Sequence, residues 1–573
     1  MASCTPLSNK IYEKNDFIIQ LLIFVGLLRG SPSFAFLPDK PGRFFFLIEK
    51  EEQSSSESDK GHDSVSSSSS SISEDPNFPS FNQKTKIAKN MADYMENNVY
   101  ALSATPSLGK AKLLVIPIWF TNSSKYIASD KKEQVRSDIE TAYFGTEEET
   151  GWNSVKSYYE TLSHGRLVLE GTVASWYECG KSSSSYYSEE SGADYTMTLV
   201  QKASDAYFAS NPRESRKDYD LDGDGYLDGV MLIYGAPDYA SLNNNNASNL
   251  WAYTFWIQDG DKQNVASPGA NVFFWASYDF MYSEGNETKK RVGSTYGGGD
   301  TSHCTLDAHT YIHEMGHAFG LDDYYDYSQQ YNPAGGFSMQ DMNVGSHDPY
   351  SSLTLGWTDP YIPTEDCKIS LRPFTETGDA VLLSTNPGSV DSAFGEYLLL
   401  EFYTPTGLNQ LDSTYSYSEC PTGPTSSGIR VWHVDTRLAY LTYTQMQDQS
   451  VDFMASQITS DPTLENCGVT LAFSNTYYAS GTEDYVSVLG KKYADYNQLQ
   501  LIRNDETATH QCELPISDAD LFRDRESFSM STFGNQFIKK GKMNNGESLG
   551  WSFSVHIQGS GTSAIAELKI QKA

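Results

Sequence analysis

Two histidines and a glutamate stand in the order His313-Glu314-Met315-Gly316-His317, inside the stretch TYIHEMGHAFGLDDYYD at 310–326. On a helix, positions i and i+4 lie one turn apart on one face. Two imidazoles at that spacing can bind one metal ion from the same side. Glu314 follows the first of them, so its carboxylate can reach a water held on that metal. Gly320 comes three residues after His317, followed by Leu321-Asp322-Asp323. A glycine there suits a helix that ends in a left-handed turn and reverses the chain. The reversal brings Asp323, with Asp322 as the alternative, back toward the metal as third protein ligand. One position is then left for water, the arrangement of a catalytic rather than a structural zinc.

A second group of acids reads Asp220-Leu221-Asp222-Gly223-Asp224-Gly225-Tyr226-Leu227-Asp228. Acids at the first, third, fifth and ninth places, with Gly at the sixth, match the front of an EF-hand loop. Carboxylates gathered this closely repel one another without a cation. Asp220, Asp222, Asp224, Tyr226 and Asp228 are therefore the candidate ligands of a structural calcium. Met231 stands at the twelfth place, where a bidentate acid is usual, so this is not a helix-loop-helix EF-hand. The segment runs on as a strand at 230–234, and the loop reads as a staple for the domain.

Other elements must position these groups. The apolar run 113–120 has strand length, and Pro117 within it points to an edge position or a bulge. Helical spacing marks 131–144, 152–162 and 195–208, and strands are expected at 167–175 and 271–282. The glycine-rich 293–300 is a loop leading into the zinc helix, which is expected to begin near Leu306. Beyond it, Gly335-Gly336-Phe337-Ser338-Met339-Gln340-Asp341-Met342-Asn343 can place a methionine in a tight turn beneath the metal, as metzincins do. Met339 is the candidate and Met342 the alternative. A short helix at 349–357 closes this domain. From about 360, short strands alternate with turns (380–383, 396–403, 428–434, 469–473, 552–557 and 564–570), which predicts a β-rich, sandwich-like domain. His433, inside one of these strands, reads as a structural residue.

The chain has 573 residues, enough for two or three domains, and a formal net charge of −33. That balance speaks against nucleic acid as a partner, because phosphate binding needs clustered Lys and Arg. Residues 17–28 are too short an apolar run to span a bilayer comfortably and suit the core of a signal peptide cleaved after Ala35, with a membrane anchor through 17–28 as the alternative. Six consecutive serines at 66–71, within a Ser- and acid-rich stretch, predict a disordered spacer. Of seven cysteines, Cys4 falls in the leader. The other six (Cys179, Cys304, Cys367, Cys420, Cys467 and Cys512) are an even number compatible with extracellular disulfides or with free thiols. The expected division is 1–35 leader, 36–109 spacer and lead-in segment, 110–359 the domain that carries the two motifs above, and 360–573 β-rich domain.

Taken together, several motifs resemble the M6 metallopeptidases, similar to the bacterial immune inhibitor A proteases. They are HEMGHAFGLDDYYD at 313–326, GGFSMQDMN at 335–343, LGW at 355–357, YDLDGDGYLDGVMLIYG at 219–235, WNSVKSYYETLSHGRL at 152–167, EYLLLEFYTPTGLNQLD at 396–412 and GIRVWHVDTRL at 428–438. The resemblance covers roughly 110–570. It implies an α+β zincin-type, metzincin-like catalytic domain with a β-rich partner, in a secreted zinc endopeptidase. It also implies His313, His317 and Asp323 as ligands and Glu314 as catalytic acid/base.

On this reading Glu314 takes the proton of the activated water and later delivers it to the leaving amine. A tyrosine could help stabilise the oxyanion, and Tyr324, Tyr325, Tyr327 and Tyr350 are all near in sequence. The expected partners are protein or peptide substrates. The chain is expected to be monomeric, and its C-terminal domain is open to two readings, cell-surface or glycan contact and a purely structural role. The competing expectation is an inert zincin-like domain in a calcium-dependent extracellular binding protein.

Overall fold

The computed structural model describes residues 78–97, 104–257, 262–282, 304–326, 331–417, 420–441, 467–470 and 496–573. The expected leader, the serine tract, the glycine-rich loop at 293–300 and Tyr327 lie outside these residues.

Six strands build the first sheet: β1 (Gly109–Trp119), β2 (Leu167–Val173), β3 (Tyr177–Glu178), β4 (Val230–Tyr234), β5 (Tyr253–Trp256) and β6 (Val272–Ser277). Their order is β2-β1-β4-β6-β5, with β3 also paired to β1. All pairs are parallel except β5 with β6. Near-continuous apolar runs such as LLVIPIW fit a parallel sheet covered on both faces.

Pro117 lies in an interior strand, not at an edge. The Ala174 amide donates to the Val115 carbonyl and the Cys179 amide to the Trp119 carbonyl. Pro117 falls between these two rungs and has no N–H to offer. It sits where β2 has left β1 and β3 has not yet joined, while its other side stays in register with Ile233.

Three helices that pack on this sheet are α1 (Lys132–Phe144), α2 (Val155–Leu162) and α3 (Glu189–Ser210). After the sheet come α4 (His309–Ala318), the single-turn α5 (Met339–Met342) and α6 (Pro349–Thr354). Strand alternation sorts the residues. Leu113, Val115, Met231, Ile233 and Phe274 face α1, α2 and α4 in one apolar cluster. Leu114, Ile116, Leu232, Phe273 and Trp275 face α3 in another. The strand expected at 271–282 ends at Ser277, where a 3₁₀ turn, Tyr278–Met281, begins with the Ser277 hydroxyl capping Asp279.

The second half holds β7 (Cys367–Leu371), β8 (Ala380–Leu383), β9 (Glu396–Tyr403), β10 (Gly428–Asp435), β11 (Leu438–Leu441), β12 (Cys467–Thr470), β13 (Leu499–Ile502), β14 (Ser527–Ser529), β15 (Trp551–Gln558) and β16 (Ile565–Lys572). Two antiparallel sheets, β13-β10-β9-β8 and β14-β15-β16-β7, share one apolar cluster that includes Leu398, Leu400, Val431, Phe553 and Leu568. The opposite face of the first of these sheets, with Leu399, Trp432 and Leu501, packs on Tyr324, Phe337 and Tyr350 from the segment that follows α4. The two halves therefore share a core. His433 pairs with Glu396 at 3.0 Å, a structural contact inside that half.

The part of the expected lead-in segment that is described is packed. Phe78, Ile87 and Met91 are buried. The Phe81 amide donates to Lys368 O and the Thr85 amide to Pro360 O, and a helix follows at Met91–Asn97. Cys179, Cys367 and Cys512 are free thiols. Among the described residues no helix is long and apolar enough to cross a membrane.

Candidate metal centre

Helix α4 is held by apolar residues on its sheet-facing side, Tyr311, Ile312, Met315 and Ala318. Its start lies at His309, three residues after the expected Leu306, and the Asp307 carboxylate accepts the His309 amide there. At its end Gly320 takes φ +98°, and the Leu321 amide donates back to Gly316 O. Only glycine adopts that backbone cheaply. The turn sends Asp323 back over the helix.

His313 Nε2, His317 Nε2 and Asp323 Oδ1 then meet. The nitrogens are 3.1 Å apart, and Asp323 Oδ1 lies 3.0 Å from His313 Nε2 and 3.2 Å from His317 Nε2. All three residues are buried. Zn–N and Zn–O bonds of about 2.0–2.2 Å in a tetrahedron set ligand atoms about 3.3 Å apart, so this triangle fits zinc with a slight opening. Both Nδ1 atoms point away from the triangle. His313 Nδ1 bonds to Met339 O at 2.7 Å and His317 Nδ1 to Leu321 O at 2.8 Å. A ring that donates Nδ1–H to a carbonyl keeps its Nε2 lone pair for a metal.

The acids around the two imidazoles favour positive charge at the triangle. Burial lowers the His317 pKa, but Asp323 and Glu314 outweigh it and raise it to about 10. Burial pushes Asp323 up, yet His317 and His313 bring its carboxyl well below the usual range. Glu314 is buried and its pKa is raised, first by desolvation, against the lowering effect of the two imidazoles.

Asp322, the alternative third ligand, points elsewhere: its Oδ2 accepts from Gln498 Nε2 at 3.2 Å. Met339 is fully buried in α5, and its contribution to the site is its carbonyl. Met342 packs in the apolar cluster shared with the second half. Of the tyrosines near the motif, Tyr325 brings its hydroxyl to Asp323 Oδ2 at 3.1 Å. Tyr324 is buried, with its hydroxyl 3.2 Å from Ser351 Oγ, and Tyr350 is buried in the shared core.

Several supporting residues carry no motif of their own. Thr254 on β5 reaches the Glu314 carboxyl. Gln340 lies across Gly316, where a Cβ would collide with its amide, so the helical glycine is there for close approach. Gln340 Oε1 is 3.1 Å from His347 Nε2, and His347 Nδ1 is 2.9 Å from the Tyr158 hydroxyl. Burial holds the His347 pKa well below its ordinary value, so the ring is neutral. His309 could have been flagged from sequence, because it precedes His313 by one helical turn.

In the acidic loop, carboxylate oxygens of Asp220, Asp222 and Asp224 lie within 4.8 Å of one another. Gly225, at the turn, has φ +92°. Asp220 Oδ1 is buried and has no hydrogen-bond partner among the described residues. Tyr226 is buried, and its amide donates to Asp224 Oδ1. Asp228 stands outside the trio: its carboxylate accepts from the Lys112 and Leu221 amides. Desolvation, reinforced by neighbouring acids, raises Asp222 to about 6 and Asp228 to about 7.

No profile of a known protein family matches the chain. It is similar to the pre-pro-metalloprotease PrtV of Vibrio cholerae serotype O1, in the strains M66-2 and ATCC 39315 / El Tor Inaba N16961. Identity is 26% over 204 residues, covering 32% of this chain and 20% of each relative. The chain thus spans about a fifth of the length of the curated relatives it matches, and what it shares with them is a distant similarity to a metalloprotease.

Proposed function

We propose that this protein is a zinc-dependent endopeptidase of the M6 type, with an α+β zincin-type catalytic domain. The observation that carries the reading is the buried triangle of His313 Nε2, His317 Nε2 and Asp323 Oδ1 at 3.0–3.2 Å, with Glu314 on the next helical position. A zinc ion held by these three residues supplies Lewis-acid activation of water and of the scissile carbonyl. Glu314 takes the water proton and hands it to the leaving amine. Burial raises its pKa, which makes it a stronger base than an exposed carboxylate. Asp323 brings a full negative charge where metzincins carry a third His. Tyr325, whose hydroxyl donates to Asp323 Oδ2 at 3.1 Å, is the tyrosine we assign to the developing oxyanion.

The substrates are proteins or peptides, reached outside the cell after secretion, and calcium in the 220–228 loop staples the domain. The similarity to a metalloprotease supports the peptidase reading. The test is a casein digestion with bound zinc quantified in the same samples. Wild type should hold about one zinc per chain, as one three-ligand site requires, and digest casein. Glu314→Gln should hold zinc and lose digestion, whereas His313→Ala should lose both. Full digestion by Glu314→Gln, or no zinc in wild type, would overturn the reading.

A further inference from the structure

Thr254 lies on β5, the antiparallel edge of the first sheet. Alternation along this strand turns Thr254 and Trp256 inward and leaves Tyr253 and Phe255 on the opposite face. Thr254 is buried, and its hydroxyl lies 3.1 Å from Glu314 Oε2 and 2.8 Å from Glu314 O. A hydroxyl has one proton and two lone pairs. Shared between these two acceptors, that proton ties the end of the Glu314 side chain to the backbone of its own helix.

We propose that Thr254 is a positioning residue that fixes which oxygen of Glu314 does the proton work. With Thr254 on Oε2, Oε1 is the carboxylate oxygen left for the reacting groups. Oε1 takes the proton from water as the carbon–oxygen bond forms, then gives it to the nitrogen as the carbon–nitrogen bond breaks. Thr254 keeps its own proton throughout and touches no substrate. A glutamate side chain has three rotatable bonds, and without this contact its carboxyl samples positions from which Oε1 is misaimed. The inference rests on Glu314 being the proton carrier proposed above.

Two variants of the full chain test it. Thr254→Val keeps the shape and removes the hydroxyl, and Thr254→Ser keeps the hydroxyl. Misplacement by about 1 Å costs on the order of 100-fold in rate, so Thr254→Val should lower kcat about 10- to 100-fold. Its KM should stay within about threefold of wild type, since no substrate contact is lost. Zinc content and melting temperature, measured on the same preparations, should match wild type. Thr254→Ser should recover kcat to within a few-fold. Wild-type kcat in Thr254→Val, or Thr254→Ser no better than Thr254→Val, would overturn the positioning role while leaving the peptidase reading intact. If Thr254→Val loses zinc or melts early and Thr254→Ser does not rescue kcat, the residue is structural only and the proposal fails. An inactive wild-type chain overturns both.

Discussion

His309 Nε2 lies 3.2 Å from each carboxylate oxygen of Asp412, and His309 Nδ1 lies 2.6 Å from Asp307 Oδ1. The ring stacks on Trp152 at 4.0 Å. Asp412 also accepts the Gly345 amide at 2.6 Å. A buried imidazolium thus fastens the first residue of α4, one turn before His313, to the segment that follows β9.

The first prediction concerns this pin. Burial lowers the His309 pKa, but Asp412 and Asp307 raise it from 6.5 to about 10. Asp412→Asn leaves a buried cation short of one carboxylate, and breaking such a pair costs about 3–5 kcal/mol. The folded-state pKa is raised, so the stabilisation is complete below the unfolded value of 6.5 and fades as pH climbs toward about 10. Urea unfolding of wild type and variant should therefore show a gap that is largest at and below about pH 6.5 and narrows as pH climbs toward about 10. A gap independent of pH would mean that His309 is not the titrating partner.

A second prediction concerns the shared core. Arg430 on β10 is fully buried, with Nε 2.8 Å from Glu401 Oε1 and a terminal nitrogen donating to Phe337 O at 3.2 Å. Phe337 stands two residues before Met339, whose carbonyl orients His313. Arg430→Met strands Glu401 and should cost about 3–5 kcal/mol. Adding Glu401→Gln should recover part of that stability, because the orphaned charge is gone. Zinc affinity, read by chelator competition, should stay weakened in the double variant, since the Phe337 anchor is still missing. Wild-type affinity in both would show that the second half does not brace the site.

The parts of this molecule that sequence made legible share one property: local spacing determines them. The i, i+4 histidines, Gly320 at the reversal and the strand at 230–234 depend on residues within a turn or two. Sequence ranks Asp323 ahead of Asp322, and the chain direction after Gly320 brings its carboxylate to the two imidazoles while Asp322 turns to Gln498. Pairings over long separations were not legible. Thr254 sits 60 positions from Glu314 and Asp412 sits 103 from His309, and neither carries a local pattern. The place of Pro117 was misread for the same reason, because an edge and a gap between two partner strands look alike from one strand.

The packed lead-in gives a third prediction. The Thr105 amide donates to Ala318 O at the end of α4, and its hydroxyl donates to Asp228 O at 2.6 Å. Thr105 therefore joins the end of α4 to the acidic loop. A chain beginning at residue 110 would uncover the two apolar clusters that Ile87 and Met91 separately help to cover, and would lose both bonds. Fully burying one such side chain contributes about 1.5–3 kcal/mol, so the shortened chain should unfold several kcal/mol more easily than one beginning at residue 78. Thr105→Val, which removes the hydroxyl alone, should cost about 1 kcal/mol. Equal stability of the two chain lengths would show that this segment adds nothing to the stability of the fold.

The acidic loop gives the last prediction, through the sign of its titration. Desolvation is the largest cause raising Asp222 from 3.8 to about 6 and Asp228 from 3.8 to about 7. Raised acids favour the fold in their protonated state. Without a cation, their contribution is complete below about pH 4 and is lost as pH rises through about 6 to 7. A calcium ion on Asp220, Asp222 and Asp224 needs the ionised carboxylates, so it compensates most where they are ionised. Melting should be followed with excess calcium and with a calcium-selective chelator that leaves zinc in place. The two curves should lie close together at pH 5 and separate toward pH 8. At a hundredfold excess over its Kd the ion should add about 2.7 kcal/mol. Asp222→Asn should shrink the separation, while leaving the zinc triangle its full complement of zinc. Curves that coincide at pH 8 would remove calcium from the loop and leave an acidic turn held by its own backbone amides.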